Sequence, residues 1–218
     1  MAEDKGSGKS LKQANFVWLC TLVTFDVVVL AVVIFPDIVR DATVSNIALA
    51  RSISSILLPV VPLLLTNTIS QLMKARLVYW KWSDPLPGSR AFTTFVKKDE
   101  RIDEAKLLKN VGAFPADPKE QNSKWYGLYL KVKHEVSVVD SHKAFLLYRD
   151  MASLSLILLV LAAPVLWYLD FPRNDIQKVC GVFLLQYLLT MMSARLAGHR
   201  MVCTVLAVHS TRKIANPK

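Results

Sequence analysis

The sequence predicts an all-α membrane protein in which two transmembrane helical hairpins, four spans in all, flank a small helical cytoplasmic domain. Its apolar residues are collected into runs near both ends of the chain, while the middle is polar and strongly charged. A soluble domain draws its apolar core from the whole chain instead. The runs also have about the ~20 residues that cross a ~30 Å hydrocarbon core. A soluble protein with unusually apolar helices is therefore the weaker interpretation.

The predicted boundaries follow the apolar runs. They give a leader at 1–15, a first hairpin at 16–73 with spans at 16–35 and 53–73, a domain at 74–150, a second hairpin at 151–198 with spans at 151–169 and 179–198, and a tail at 199–218. The first run follows a long polar leader and exceeds the apolar segment of a signal peptide, so cleavage is not expected. Pro59 and Pro62 interrupt the second span, and Pro164 lies near the outer end of the third.

Basic residues predict the orientation of these spans. Of the 27 Lys and Arg residues, 23 lie in the leader, in the middle region and from Arg195 onward at the end of the fourth span and in the tail, and 4 lie in the two short loops. Cytoplasmic segments carry the excess of Lys and Arg in membrane proteins. We therefore expect the domain and both termini to be cytoplasmic.

The middle region contains recognisable helix signals. Residues 97–110 are expected to form a short, solvent-exposed helix. Asp117 followed by Pro118 is typical of a helix start, because the carboxylate can accept hydrogen bonds from free amides and proline suits the first turn. The helix that follows places Trp125, Leu128, Tyr129 and Val132 on one face. A last helix from about residue 141 is expected to run without a break into the third span.

Polar residues inside the spans form the first candidate site. Asp26 lies near the middle of the first span, where a charge is costly and usually faces a cavity or a partner. It can line an ion or proton path, or it can make a contact between helices, for example with Gln186 or Tyr187. The remaining intramembrane candidates are Thr66, Asn67 and Ser70 in the second span and Gln186 and Thr190 in the fourth. Polar residues of this kind also commonly hold helices together.

Basic and aromatic residues of the middle region form the second candidate site. Phosphate contacts combined with aromatic stacking are typical of sites for a nucleotide or a short nucleic acid. The alternative is a solvated basic face on anionic lipid, which the net charge of +10 also favours. The candidate ligand-binding or partner-binding residues are Arg90, Lys97, Lys98, Arg101, Trp125 and Tyr126.

Catalytic and metal-binding patterns are missing from the sequence. The four histidines do not have the spacing of a zinc motif, and no phosphate-binding loop, dinucleotide fingerprint or nucleophile elbow occurs. The three cysteines do not form a metal-site pair. We therefore expect no cofactor, no metal and no catalytic residue, and we predict that the protein is not an enzyme.

Several short motifs resemble those of a group of small bacterial inner-membrane proteins whose activity is uncharacterised. They comprise Arg90-Ala91-Phe92-Thr93, Asp99 with Arg101-Ile102-Asp103, Gln121-Asn122, Trp125-Tyr126, Leu128-Tyr129, Arg149-Asp150 and Gly198-His199-Arg200-Met201-Val202. The resemblance implies a bacterial inner-membrane protein with two hairpins around a cytosolic domain, and it implies no catalytic residue. The layout is also similar to that of small membrane effectors of anti-phage defence, in which a cytosolic part senses a signal and gates a membrane-disrupting part.

Two functional hypotheses follow from the sequence. The first is an oligomer of this chain in the lipid bilayer whose cytoplasmic domain senses a ligand or partner and gates ion flow or membrane permeability, as an anti-phage defence component would. Four spans enclose no obvious pore, so conduction would require a homo-oligomer. The second is a non-conducting membrane adaptor that recruits a cytosolic protein through its basic domain. A membrane enzyme acting on lipid head groups has no supporting motif.

Overall fold

The computed structural model describes residues 11–34 and 67–211, and every regular element within them is helical. The described elements are α1 (Leu11–Ile34), α2 (Gln71–Tyr79), a 3₁₀ turn (Pro87–Arg90), a π-helical turn (Ala91–Phe95), α3 (Glu104–Val111), α4 (Pro118–Val132), α5 (Val136–Tyr168) and α6 (Arg173–Thr211). The all-α prediction is confirmed for this part of the chain.

Three of the described helices are long and apolar enough to cross a membrane. They contain the segments Asn15–Ile34, Val136–Tyr168 and Arg173–Thr211. These segments support the assignment as a membrane protein and correspond to the predicted first, third and fourth spans. Most of the predicted second span, including Thr66, lies outside the described residues.

The described end of the second span differs from the prediction. A continuous helix was expected to reach residue 73, but the chain bends at Ile69, and α2 begins at Gln71. Ser70 has extended backbone angles, and its hydroxyl accepts a hydrogen bond from the Met73 amide, so it caps α2. Ser70 and Gln71, at the polar end of the predicted second span, therefore begin the separate helix α2.

The predicted helix at 97–110 is also corrected. The structure has a turn through residues 97–103, and α3 begins only at Glu104. The Asp103 carboxylate accepts from the Lys106 amide and caps this helix. Asp99 stabilises the preceding turn by accepting from the Arg101 backbone and guanidinium. Side-chain bonds of this local type compete with helix formation, which explains the later start.

The start of α4 confirms its predicted signal. Asp117 accepts hydrogen bonds from the Lys119 and Glu120 amides, and Pro118 occupies the first turn. The predicted apolar stripe is also found, since Trp125, Leu128 and Val132 are buried. These side chains pack with Phe92, Phe145 and Val202, among others, in one apolar core.

The described residues divide into two compact units. The α1 unit comprises residues 11–34, 67–69 and 150–188, and the α2–α4 unit comprises residues 70–149 and 189–211. Helix α5 is unbroken from Val136 to Tyr168, which confirms the predicted continuity into the third span. Its first part belongs to the α2–α4 unit and the remainder to the α1 unit. Helix α6 is shared in the opposite order, since its first part belongs to the α1 unit and the remainder to the α2–α4 unit.

The α6 helix extends well beyond the predicted end of the fourth span. It ends at Thr211, and Met201, Val202, Cys203, Val205 and Leu206 are all buried in the core of the α2–α4 unit. In the α1 unit, Leu166 of α5 packs with Val179 and Phe183 of α6. Asp170, with a positive φ of 57°, lies in the turn that joins these two helices.

Candidate functional site

An aromatic pocket of about 200 Å³ lies within the α2–α4 unit. Its wall is built from the turn before the 3₁₀ segment, one face of α4, the first part of α5 and one residue of α6. The lining residues are Leu86, Pro87, Asn122, Trp125, Tyr126, Tyr129, His142, Phe145, Leu146, Arg149 and Met201. Apolar and aromatic walls with a few polar groups are typical of small-molecule sites. We call this cavity the aromatic pocket.

Three near-parallel rings on α4 line the aromatic pocket. The Trp125 and Tyr129 ring centroids are 5.8 Å apart with planes inclined by 23°. The Tyr126 and Tyr129 centroids are 5.9 Å apart with planes inclined by 26°. Helical spacing brings residues three and four apart onto one face, so these near-parallel rings follow from the sequence of α4. Trp125 is buried, and Tyr126 is 52% exposed at the rim.

Gly88 holds the 3₁₀ turn against this aromatic face. A Cβ at this position would come within 2.6 Å of Asn122 Oδ1 and 2.8 Å of Trp125 Cε3. Only a glycine allows the backbone to approach so closely. The Gly88 backbone thereby fixes the Trp125 ring and the Asn122 amide on the wall of the pocket.

The α5 side of the aromatic pocket carries polar groups. The Tyr129 hydroxyl and His142 Nδ1 are 2.9 Å apart and share a hydrogen bond. Burial, reinforced by the charge of Arg149, holds the pKa of His142 below its ordinary value, so the ring is neutral at pH 7. Arg149 is buried, and its guanidinium carbon lies 5.6 Å from the Phe145 ring centroid. A neutral imidazole and a guanidinium therefore face the same cavity.

A second cavity of about 340 Å³ adjoins the aromatic pocket. The two share Leu86 and Asn122 as lining residues. The second cavity, which we call the polar pocket, is lined by Leu72, Arg76, Trp82, Ser83, Asp84, Pro85, Leu86, Ser89, Lys119 and Asn122. Arg76 Nε donates to the Trp82 carbonyl oxygen at 3.2 Å, and its guanidinium carbon lies 5.7 Å from the Trp82 ring centroid. The polar pocket thus contains an oriented cation.

Arg90 lies in a separate cluster of cations and rings in the same unit. Its guanidinium carbon is 5.1 Å from the Tyr79 ring centroid and 5.6 Å from that of Phe95. Its Nε and Nη2 atoms are buried and have no hydrogen-bond partner among the described residues. Burial raises the pKa of Tyr79, and the positive charges of Arg90, Arg195 and Arg149 offset part of this rise. These cation–π contacts hold the partly buried Arg90 side chain against two rings of the unit.

The structure separates the six predicted ligand-binding residues. Trp125 and Tyr126 line the aromatic pocket, whereas Arg90 belongs to the Tyr79 cluster. Lys97 and Lys98 are exposed in the turn before α3. Arg101 is exposed and forms a two-point ion pair with Asp99 at 2.9 and 2.7 Å. Because of this pair, the pKa of Asp99 falls to about 2.

Two of the intramembrane candidates, Asp26 and Gln186, lie next to each other in the α1 unit. Asp26 is 2% exposed, and Gln186 is the group that approaches its carboxylate. Neither Asp26 oxygen has a hydrogen-bond partner of good geometry among the described residues. Gln186 Nε2 donates to the Ser155 hydroxyl at 3.0 Å, so α1, α5 and α6 contribute one side chain each to this polar group. Burial against Gln186 fits the expected contact between helices.

The other intramembrane candidates lie elsewhere. Asn67 is exposed in the described residues that precede α2, and Ser70 caps α2. Thr190 is partly buried in the part of α6 that belongs to the α2–α4 unit. The structure thus places Asp26 and Gln186 together and does not bring these three residues to the same group.

Several pocket residues were not among the sequence candidates. They are Arg76, Asn122, Tyr129, His142 and Arg149. The helical spacing of Trp125 and Tyr129 was a usable signal, but it indicated a packing stripe. The contribution of α5 could not be found from spacing, because it depends on how α4 and α5 pack.

No group of three or more potential metal ligands occurs within residues 11–34 and 67–211. The cysteines at 20, 180 and 203 are free thiols. No family model, curated protein or solved structure matches this chain.

Proposed function

We propose that this chain is a bacterial inner-membrane protein whose α2–α4 unit binds a small ligand in the cytoplasm and thereby gates ion flow or membrane permeability. The gated species is a homo-oligomer, because a single copy with so few spans provides little room for a pore. Both termini face the cytoplasm, in keeping with the distribution of basic residues. Such a protein suits a role in defence against phage, where a signal inside the cell triggers a change at the membrane.

One observation carries this proposal. The aromatic pocket takes four of its lining residues, His142, Phe145, Leu146 and Arg149, from the first part of α5. The same helix continues without a break through its apolar part to Tyr168. A ligand that contacts the first part of α5 therefore acts directly on a helix suited to span the membrane. Switching proteins commonly use such rigid elements to carry a change between sites.

The membrane part of the proposal draws on Asp26. A carboxylate buried in an apolar helix is costly unless a cavity or partner compensates it. Gln186 supplies part of this compensation. In the proposed oligomer, a change in the packing of α5 and α6 alters the surroundings of Asp26 and opens a path for ions. Ser155, which accepts from Gln186, links α5 to this polar group.

The test is a flux assay on the purified full chain. The protein is reconstituted into vesicles of phosphatidylethanolamine and phosphatidylglycerol that contain potassium and a fluorescent dye. A small-metabolite extract of bacterial cells serves as the trigger. We expect the extract to increase release from vesicles that contain wild-type protein, and Arg149→Ala to lose the response. Asp26→Ala should reduce the flux, whereas Thr24→Val should not, since the exposed Thr24 hydroxyl donates to the Cys20 carbonyl of its own helix.

Equal release from protein-containing and protein-free vesicles, with and without extract, would refute the gating function. Unchanged flux in Asp26→Ala would exclude the proposed role of this carboxylate. Size-exclusion chromatography with light scattering tests the oligomer independently. A strictly monomeric protein that still conducts would contradict the homo-oligomeric pore.

A non-conducting adaptor is the second candidate. Lys97 and Lys98 are exposed next to each other, and Trp82 is 73% exposed in the same unit. Exposed cations and an exposed aromatic ring on one unit can recruit an acidic cytosolic protein. Recovery of one stoichiometric soluble protein with the wild-type chain, lost in the double variant Lys97→Glu and Lys98→Glu, together with a negative flux assay, would favour the adaptor.

A further inference from the structure

We infer that the aromatic and polar pockets form one two-part site for a nucleoside phosphate. The base lies in the aromatic pocket, and the phosphate lies in the polar pocket. This inference rests on the ligand binding in the proposed function and names the chemical class of the ligand. It requires that the two cavities adjoin, that one suits a planar ring and that the other suits an anion.

The two cavities meet at a common wall. Leu86 and Asn122 line both of them. The aromatic pocket has about 200 Å³, which is below the ~300–1,000 Å³ typical of a site for a whole drug-sized ligand. Together with the polar pocket of about 340 Å³, the space falls within that range. A ligand too large for the aromatic pocket alone therefore has room to extend into the polar pocket.

The aromatic pocket has the features that hold a nucleobase. Among the near-parallel rings of Trp125, Tyr126 and Tyr129, the 52% exposed Tyr126 ring offers a face on which a base can stack. Stacking on aromatic side chains is the usual way in which proteins hold an unpaired base. The Asn122 amide and the neutral His142 ring offer hydrogen bonds to the edge of the base. An aliphatic ligand could pack on the rings but would form no hydrogen bond with the Asn122 amide or the His142 ring.

The polar pocket has the features that hold a phosphate. The Arg76 guanidinium is oriented by the Trp82 carbonyl and ring before any ligand binds. Lys119, at the start of α4, supplies a second cation. Arginine and lysine are the usual side chains at phosphate sites. The first amides of α4 already donate to Asp117, so the phosphate contacts come from side chains.

Asp84 opposes the phosphate within the polar pocket. Its carboxylate accepts a hydrogen bond from the Ser83 hydroxyl at 3.0 Å. A like charge in the cavity weakens anion binding, so the net attraction depends on Arg76 and Lys119 outweighing one carboxylate. This arrangement provides a sharp test, because removal of the Asp84 charge should strengthen phosphate binding. The backbone of Asp84 has a φ of 46°, a conformation that asparagine tolerates well.

A mononucleotide fits this site better than a nucleic acid strand. A strand needs a row of stacking platforms along an open cationic groove. The stacking rings are instead grouped on α4, and the exposed cations Lys97 and Lys98 line neither pocket. Lys124 of α4 donates to the Gly112 and Ala113 carbonyls just after α3 and lines neither pocket. We therefore assign the site to a nucleoside phosphate.

The experiment measures equilibrium binding to the purified full chain in lipid nanodiscs. The probes are AMP, GMP, CMP and UMP, each tested alone, with adenosine, inorganic phosphate and a deoxythymidine oligonucleotide as comparisons. We expect at least one monophosphate to bind at least tenfold more tightly than both its nucleoside and inorganic phosphate, because only the nucleotide uses both pockets. Tryptophan fluorescence provides an independent reading, since Trp125 and Trp82 line the two pockets.

Four variants separate the two halves of the site. Tyr126→Ala should weaken nucleotide binding about tenfold through lost stacking and leave inorganic phosphate binding unchanged. Lys119→Gln should weaken the nucleotide about fivefold and leave nucleoside binding unchanged. Asp84→Asn should strengthen the nucleotide about threefold. Lys97→Gln removes an equally exposed charge outside both pockets and serves as the matched control.

Binding of the oligonucleotide without binding of any monophosphate would overturn the assignment. Equal affinity for inorganic phosphate and the nucleotides would do the same, as would equal losses in Lys97→Gln and Lys119→Gln. Circular dichroism of each variant distinguishes loss of the site from loss of the fold. The flux assay tests the gating function separately. Nucleotide binding without flux refutes the gating function and leaves this inference intact. Flux triggered by extract, without binding of any nucleotide, refutes this inference and leaves the gating function intact.

Discussion

Gly198 and Tyr79 provide a stringent test of the packing within the α2–α4 unit. A Cβ added to Gly198 of α6 would overlap the Tyr79 hydroxyl and come within 3.0 and 3.1 Å of two Phe145 ring atoms. The Tyr79 hydroxyl is buried and has no hydrogen-bond partner among the described residues. We therefore predict that Gly198→Ala destabilises this unit and that Tyr79→Phe relieves most of the loss.

The magnitude follows from two opposing effects. Alanine is favoured over glycine inside a helix by ~0.5–1 kcal/mol. Overpacking of a well-filled site costs ~1–3 kcal/mol, so the overlap outweighs the helix preference at Gly198. In the Tyr79→Phe background the atom that causes the overlap is gone, and the helix preference remains. The two substitutions should therefore couple by ~1–2 kcal/mol in a double-mutant cycle.

The measurement is the thermal midpoint of the full chain in nanodiscs, followed by intrinsic fluorescence. For a chain of this size, 1 kcal/mol corresponds to ~2–4 °C, so Gly198→Ala should lower the midpoint by a few degrees. Gly127→Ala is the matched control, because a Cβ on Gly127 of α4 meets nothing within 4 Å. This control should raise the midpoint slightly through helix preference alone.

A midpoint that rises equally in Gly198→Ala and Gly127→Ala would refute the contact between α6 and Tyr79. Additive effects of Gly198→Ala and Tyr79→Phe would refute it as well, even if each variant is destabilised. The single variant Tyr79→Phe should be neutral or stabilising, because it removes a buried hydroxyl that lacks a partner.

Three further predictions concern polar contacts of the α2–α4 unit. Gln121→Leu should destabilise it by ~2–4 kcal/mol in thermal unfolding, because the buried Gln121 amide accepts from the Phe92 and Thr93 backbones. Asp117→Ala should cost ~1 kcal/mol in the same assay through loss of the α4 cap. The stability that Asp99 contributes is complete above its unfolded pKa of ~4 and falls as the pH drops toward about 2, so Asp99→Asn should remove this part of an acid-unfolding profile.

Local signals in the sequence were sufficient to predict features that depend only on residues close together in the chain. The α4 cap at Asp117 and the buried stripe through Trp125 follow from spacing alone. The helix start expected at residue 97 was wrong, because the contacts of Asp99 and Asp103 hold a turn that the charge pattern did not indicate. Both contacts are local, but the sequence does not say whether such carboxylates bond to a turn or to solvent.

The candidate site was harder to predict, because its parts come from distant positions. The aromatic residues Trp125 and Tyr126 were identified, since an aromatic pair among basic residues is visible in the sequence. Arg90 was assigned to a ligand as one of the basic residues of the middle region, but its guanidinium lies near the Tyr79 and Phe95 rings. Whether an arginine faces a ligand or a core depends on tertiary packing, which the local pattern does not contain.

The proposed gating sets a minimum on the energy that the ligand must supply. To change a two-state equilibrium from 1:99 to 99:1, a ligand must favour one state by ~5.5 kcal/mol. A ligand bound with micromolar affinity has ~8 kcal/mol in total, so most of its contacts must exist in only one state. The pocket meets this condition if α5 moves, because His142, Phe145, Leu146 and Arg149 would leave its wall together. A pocket lined by α4 alone could bind the same ligand tightly and still leave the equilibrium between the two states unchanged.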